Sequence, residues 1–427
     1  MSSQESVDVI GIGFGPANLG LAIALEESGA CVAGGMRTVF CESKPAFGWH
    51  PGMMLPGATM QVAFPKDLAT MRNPRSAYSF FNYLHCNGRM ADFINHQTFF
   101  PSRQEFGDYL AWAAQRVDAD VRYGHRVTGV ELVDPDNPEQ ALVHCETATG
   151  STTIGARNVI FAPGLNPRLP EGITASSRIF HNHQILQWLP RVPSAPRGAF
   201  AVLGAGQSAA EVAGFLHSEY PTAEVHLIHQ KFGMTPADDS PFANRVFDPA
   251  TVDRWYSASP QVRATMLAYH RGTNYSAVDI DLLEELYRRE YQEKVAGRRR
   301  LFIHGATTIA EVAEDADGVQ LTLRDEMSGE ITTLSTDALV CATGFRPHDI
   351  RSLLSPEDAA RCEYDETGPV TSRDCRLLTD DSVGATVYLN GGMEATHGLS
   401  STLLSTIAVR SGEIAESLHA RVTALAS

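Results

Sequence analysis

The sequence has no Cys-x-x-Cys pair; its seven cysteines are scattered along 427 residues. That spacing excludes a dithiol–disulfide redox centre and a disulfide framework, and it reads as reduced thiols in the cytoplasm. No uninterrupted apolar run reaches the ~18 residues of a membrane span. No signal-peptide pattern precedes the strand-like run that begins at Val7. Basic residues are few: 34 Lys and Arg against 50 Asp and Glu give a formal net charge of −16. That balance argues against nonspecific binding of nucleic acid or of an anionic membrane surface. Ser208 follows Gly-Ala-Gly-Gln without a Gly-x-Ser-x-Gly elbow, so nucleophilic catalysis is not expected of it. His181 and His183 have no acidic or cysteine neighbours of ligand spacing, so no metal is expected.

Two glycine-rich turns, about 190 residues apart, stand out. The first is Gly11-Ile12-Gly13-Phe14-Gly15-Pro16; the second is Gly204-Ala205-Gly206-Gln207-Ser208-Ala209. Each follows an apolar strand-like run and opens an apolar-periodic segment of helical spacing, the context a dinucleotide fingerprint requires. The glycines let the backbone approach a pyrophosphate, and the helix N-terminus offers it N–H donors. Glu42 ends the next strand, at the place where a carboxylate accepts from a ribose 2′-OH. A free 2′-OH there means FAD or NAD at the first turn, not NADP. Two such turns in one chain imply two dinucleotides, and electron transfer between a nicotinamide and a flavin.

The length predicts two or three domains. We expect an α/β fold with two Rossmann-like dinucleotide-binding domains and a smaller, mainly helical region. The first domain is expected over 1–190 and 335–427, because the run Asp337 to Phe345 ends in Thr343-Gly344 and points back towards a flavin. The second is expected over 195–237 and 301–334, with Pro-rich 185–197 as the linker into it and 238–300 as the helical region. Residues 51–120, rich in Met, Pro, Phe and Asn, read as an insertion that builds a pocket wall, and Arg298 to Arg300 as a solvated cluster.

Further segments are specific enough to mark a resemblance. They are Met60-Gln61-Val62-Ala63-Phe64-Pro65-Lys66-Asp67-Leu68-Ala69-Thr70, Phe100-Pro101-Ser102-Arg103, Asp238-Asp239-Ser240-Pro241-Phe242-Ala243-Asn244, Thr273-Asn274-Tyr275-Ser276 and Thr396-His397-Gly398-Leu399-Ser400. Over nearly its whole length the chain resembles the microbial N-hydroxylating flavin monooxygenases, the L-ornithine N5- and L-lysine N6-monooxygenases of hydroxamate siderophore synthesis. Lys-Asp-Leu-Ala-Thr and Pro-Ser-Arg look closer to the ornithine branch. L-lysine and free diamines are the nearest alternative substrates, and a Baeyer–Villiger or sulfide monooxygenase is a more distant reading. The resemblance implies FAD in the first domain, NADPH in the second, a small amine and O2 as reactants, and a homotetramer.

Residue roles follow from the same resemblance. Gln61 and Asn274 are catalytic: Gln61 near the flavin ring, Asn274 at the reacting end of the substrate and the nicotinamide ribose. Lys66 holds the substrate carboxylate, Asn244 its α-amino or carboxylate end, and Ser405 lines the same site. Trp49, His50, Val127, Thr343, Gly344, Gly398, Leu399 and Ser400 bind cofactor. Gln207, Ser208 and Ala209 do so on the NADP side. Relatives carry an arginine aligned with Gln230 for the 2′-phosphate; here Lys231, or His229, takes that place.

The chemistry constrains the pocket independently. A lysine-like amine has a pKa of about 10.4, and only its neutral form attacks an oxygen of the flavin C4a-hydroperoxide, the oxidant this class uses. Burial favours deprotonation. A free carboxylate would oppose it, and the motif around Asn274 contains none. His397 reads as a residue that orients a loop.

Overall fold

The structure, a computed structural model, describes residues 5–30, 35–137, 139–192, 198–273 and 275–426, the last four by backbone alone. Strand β1 (Glu5–Ile12) is buried at Val7 and from Val9 to Ile12, the near-continuous apolar pattern of a strand covered on both faces. Helix α1 (Pro16–Glu27) is buried from Asn18 through Leu25, so it is covered on both sides. Strand β2 (Thr38–Glu42) pairs parallel with β1. The insertion supplies helices α2 (Phe80–Cys86), α3 (Met90–His96) and α4 (Arg103–Ala114). Ser79 and Ser102 cap α2 and α4 by accepting the N–H groups of Asn82 and Glu105. Strands β3 (Asp120–Tyr123), β4 (Arg126–Leu132), β5 (Ala141–Thr147) and β6 (Gly150–Phe161) extend the sheet to the order β3-β2-β1-β6-β5-β4.

The chain then leaves through β7 (Leu165–Pro167) and builds a second sheet. Its elements are β8 (Ile179–His181), helix α5 (Ile185–Trp188), β9 (Ala199–Leu203), α6 (Gln207–Glu219) and β10 (Glu224–Ile228), then helices α7 (Thr251–Ser257), α8 (Pro260–His270) and α9 (Ile280–Ala296), and β11 (Leu301–His304). An antiparallel meander follows, β12 (Thr307–Glu314), β13 (Val319–Asp325) and β14 (Ile331–Thr336). Strand β15 (Ala338–Cys341) closes the all-parallel order β11-β10-β9-β15-β8.

The return path is β16 (Phe345–Pro347), antiparallel to β7. After helix α10 (Pro356–Ala360) and the small ribbon β17 (Tyr364–Asp365) and β18 (Gly368–Pro369), strand β19 (Thr386–Leu389) joins β6 in the first sheet. Helices α11 (Glu394–His397) and α12 (Ile407–Ala426) end the chain. A Cβ on Gly20 of α1 would lie 2.7 Å from Ile407 and 2.9 Å from Ser411, so the glycine permits α1 and α12 to touch. No helix among the described residues is long and apolar enough to cross a membrane.

Two expected boundaries need correction. Strands β8 and β15, placed with the first domain by breaks at 190 and 335, pair with the second sheet instead. The true crossover is the β7–β16 pair, so the first unit runs to about 167 and resumes at about 345. Residues 185–192 are not a linker, because Ile185 and Leu189 belong to the second core; the rest of the expected linker, 193–197, lies outside the described residues. Both strands are short, fully buried apolar runs, and such a run does not say which sheet it enters. Arg300 is also structural rather than solvated: its Nη1 donates to the carbonyls of His217, Tyr220 and Ala223 at the end of α6.

Gly13 holds φ at +83°, and a Cβ there would sit 2.5 Å from the Ala162 carbonyl oxygen. Gly13→Ala is therefore expected to cost about 1–3 kcal/mol and to lower the flavin bound per protein, read from the visible absorbance of the purified enzyme. Full flavin and an unchanged melting temperature would refute this account of the turn.

Candidate active site

The first turn is shaped for a pyrophosphate. Gly11 packs under Phe40 and Gly13 against Ala162, while a Cβ on Gly15 would meet nothing within 4 Å. That open space faces the start of α1, where no side chain caps the helix and Pro16 occupies the first turn. The free N–H groups there suit an anion. Glu42 is buried at the end of β2 and accepts Phe14 N–H on Oε2 (2.8 Å) and Lys44 N–H on Oε1 (2.9 Å). A carboxylate has about four lone-pair positions, so Oε2 keeps one for a ribose hydroxyl. The His125 amide bonds the Glu42 carbonyl at 2.9 Å, which brings Val127 beside the same strand end. These residues fit FAD.

The second turn repeats the logic. Gly204 has φ +148°, and a Cβ there would lie 2.4 Å from the Ala342 carbonyl oxygen; a Cβ on Gly206 would come 3.3 Å from the Ser276 backbone. No side chain caps α6. Gln207 is fully engaged: its backbone N–H donates to Ala277 O (2.9 Å), its Oε1 accepts from Asp279 N–H (2.8 Å), and its Nε2 donates to Glu211 (2.9 Å). Ala209 packs on Gly204, and the Ser208 hydroxyl has no partner among the described residues. After β10, His229 turns inward, its Nδ1 donating to the Lys231 carbonyl at 2.7 Å. Lys231 points outward, with Nζ on the Ser276 carbonyl (2.6 Å) and the Thr235 hydroxyl (3.2 Å). His229 is buried, whereas Lys231 is half-buried and keeps one of its three ammonium donors for a phosphate; the set fits NADPH.

Between the turns lie the remaining residues. The segment 58–64 runs beside 99–103, with Met60 N–H on Pro101 O and Phe64 N–H on Phe99 O, both at 2.9 Å. Phe64 N–H and Lys66 N–H are both satisfied, so Pro65, which has no N–H, sits between them without loss. Asp67 then pins the loop: its buried carboxylate accepts the N–H groups of Ala69 (3.0 Å), Thr70 (2.6 Å) and Phe80 (2.7 Å) and the Thr70 hydroxyl (2.8 Å). Lys66 is half-buried and its ammonium has no partner among the described residues. It lines one small void with Leu404, and next to Leu404 the buried Ser405 hydroxyl is unpaired. Gln61, five residues before Lys66, is exposed.

Earlier in the same C-terminal segment, Gly398 (φ +78°) lies against the indole of Trp255, and Leu399 and Ser400 are buried. The short helix Ala243–Phe247 carries Asn244, whose Nδ2 donates to Asp239 O at 2.6 Å. Val246 of that helix packs with Trp255 and Leu399. Asn274 lies outside the described residues. Its neighbour Tyr275 donates its hydroxyl to Glu394, which also accepts the Thr402 hydroxyl (3.0 Å). A carboxylate thus does stand beside the Asn274 motif, although the local sequence holds none; two hydroxyls share its Oε1. His397 is committed at both nitrogens, Nδ1 to Thr396 Oγ1 (2.9 Å) and Nε2 to Arg373 O (3.1 Å). Burial holds this imidazole down at about 4, so it stays neutral and orients the loop.

Trp49 packs on Phe106 and its ring centre is 5.3 Å from that of His50, which adopts φ +46°. The Gly344 carbonyl accepts from Arg168 N–H (3.0 Å) and pairs with His181 Nε2 (2.9 Å), so Thr343-Gly344 closes the crossover. No cluster of metal-ligating residues occurs among the described residues. Sequence reasoning overlooked Arg103 and Glu211, which join α4 to α6. Their signals were present: Ser102-x-x-Glu105 is a capping-box pattern that starts a helix at Arg103, and Glu211 is four residues from Gln207 on one helix face. Also overlooked was the buried relay of Arg410 Nε to Asn390 (3.0 Å), Asn390 to Asn18 (3.2 Å) and Asn18 to the Gly13 carbonyl (2.7 Å).

Known proteins resemble this chain over most of its length. The family model for L-lysine 6-monooxygenase/L-ornithine 5-monooxygenase matches residues 5–347. The L-ornithine N(5)-monooxygenase of Pseudomonas aeruginosa is 38% identical over 419 residues, covering 96% of this chain and 93% of that protein. Among solved structures, the ornithine N-hydroxylase KtzI of Kutzneria sp. 744, a complex with reduced FAD, NADP+ and L-ornithine, is 42% identical with a TM-score of 0.92, covering 98% of this chain and 100% of that one. The L-lysine 6-monooxygenase of Pseudomonas syringae is 33% identical with a TM-score of 0.82, covering 97% and 100%.

Asp67→Asn replaces an acceptor by an amide whose NH2 faces at least one N–H donor. It is expected to lower stability by about 1–3 kcal/mol and to raise KM for the amine through movement of Lys66. Thermal unfolding together with steady-state kinetics checks this; an unchanged melting temperature and KM would remove Asp67 as the pin of the loop.

Proposed function

This chain belongs to the L-lysine 6-monooxygenase/L-ornithine 5-monooxygenase family, and from that premise we propose how its own residues serve N-hydroxylation of the side-chain amine of L-ornithine with FAD, NADPH and O2. Bound FAD, reduced by NADPH, would supply the two electrons that activate O2, so that one oxygen atom goes to the amine and the other leaves as water. The chain's own task is to hold the amino acid by its distant end, keep its amine neutral and exclude water.

The observation that carries the reading is Lys66. A half-buried ammonium with no ion-pair partner among the described residues is available to an anion, and the α-carboxylate of an amino acid supplies one while a diamine cannot. Asp67 is fully used by the loop, so it does not compete for Lys66. The unpaired Ser405 hydroxyl and the free Oδ1 of Asn244 give further polar contacts around the same substrate end. For the other end the family resemblance names Gln61 and Asn274, whose amides are neutral acceptors. Glu394 holds the Tyr275 and Thr402 hydroxyls on Oε1. The ornithine relatives stand at 38% and 42% identity, above the lysine enzyme at 33%, which supports ornithine as the substrate.

Two measurements test this. Hydroxylamine product is assayed from L-ornithine, L-lysine and putrescine in parallel, with FAD, NADPH and O2; product from ornithine in clear excess is expected, and product from putrescine would overturn the carboxylate argument. Lys66→Ala is expected to raise KM for L-ornithine roughly 10-fold or more with flavin content intact. An unchanged KM would remove Lys66 as the anchor.

A further inference from the structure

The buried ion pair between Arg103 and Glu211 joins the two dinucleotide units, and the family reading gives it no role. Arg103 opens α4 of the first unit; Glu211 lies in the second turn of α6 in the second. The guanidinium donates through Nη1 and Nη2 to the two carboxylate oxygens at 2.8 and 2.7 Å, the two-pronged geometry that fixes orientation as well as distance. The side chains are only 15% and 5% exposed. Arg103 also reaches the Met53 carbonyl (3.3 Å), and its backbone N–H donates to Ala58 O (2.8 Å), so it is locked to the segment that carries Trp49 and His50.

Glu211 passes this constraint on. Its Oε1 accepts from Gln207 Nε2, which forces Gln207 to turn its Oε1 towards the Asp279 N–H. One continuous chain of bonds therefore runs from Met53 in the first unit, through Arg103, Glu211 and Gln207, to the 277–279 segment that follows Asn274. The amide of Gln207 sits at the start of α6, against the second turn. With Glu211 unpaired or neutral, that amide is free to flip, and the N-terminus of α6 is free to shift against the first unit.

We propose that Arg103 and Glu211 are positioning residues for flavin reduction: they set Gln207 and the α6 N-terminus so that the nicotinamide is presented to the flavin at the required distance. The pair touches no reacting atom. The proposal rests on the family reading, because it presumes NADPH at the second turn.

The test uses the flavin-loaded full-length enzyme and the variants Arg103→Lys, Arg103→Met, Glu211→Gln and Arg103→Met/Glu211→Gln. Three quantities are measured: the limiting rate of flavin reduction by NADPH without oxygen, the Kd of NADP+ from its perturbation of the flavin spectrum, and the melting temperature. Arg103→Met and Glu211→Gln are expected to lower the limiting rate at least ~10-fold and to weaken NADP+. Arg103→Lys, with charge but no fork, should fall between. The double variant should be little worse than either single one, as for two residues acting as a unit. Limiting rates within two-fold of wild type would overturn the proposal. So would losses that add in the double variant and follow the melting temperature, because they would assign the pair to stability alone. Wild-type enzyme that NADPH fails to reduce would refute the family reading instead, whatever the variants do.

Discussion

Close approach of two separately built units is the constraint on which this molecule depends. Neither sheet holds a complete site: the first carries the Gly11–Gly15 turn, the second the Gly204–Gly206 turn, and their helices α1 and α6 must be held facing one reaction volume. The seam that does this is apolar at its centre, where Met53, Leu55 and Ala58 of the first unit pack among Phe180, Ile185, Phe200 and Val202 of the second. It is polar at its edge, where Arg103 meets Glu211. Apolar burial is non-directional and supplies adhesion; the two-pronged ion pair supplies register. Removing one partner of such a pair strands a buried charge, at a cost of about 3–5 kcal/mol.

The substrate region follows a second rule, the disposal of carboxylates. An enzyme that needs a neutral amine must keep negative charge from it, yet this chain is rich in acidic residues. Several near the site are engaged: Asp67 by four donors of its own loop, Glu211 by Arg103 and Gln207, and Glu394 on Oε1 by two hydroxyls. Lys66 is a half-buried cation of that wall with no partner among the described residues. On the proposed assignment the pocket is sorted by sign, with this ammonium at one end and the neutral amides of Gln61 and Asn274 at the other.

Much of this was legible in the chain, and the reasons are local. Gly-x-Gly turns between an apolar strand and an apolar helix report themselves, because the glycine at +83° and the crowding against Ala162 are demanded by neighbours in sequence and adjacent strands. The helices of 251–296 announce themselves by period, and Glu42 by its place at a strand end. What misled was also specific. Strands β8 and β15 carry apolar stretches that suit either sheet, so their assignment to the first was a choice the sequence did not constrain. Glu394 is 119 residues from Tyr275, so a motif read in a short window could not show that a carboxylate stands there. His229 and Lys231 looked equivalent as basic residues, and only the inward turn of the imidazole separates them.

The sequence by itself determined that two dinucleotide turns exist, which segments form their strands and helices, and, by its resemblance, the class of chemistry. Those features depend on backbone conformation and on contacts a few residues apart. Tertiary structure alone decided where one unit ends, which side chains meet across the seam, and which donors engage the acidic groups near the site. Arg103 and Glu211 are 108 residues apart, and a pairing at that range is fixed by how two cores pack, an outcome that no local pattern encodes.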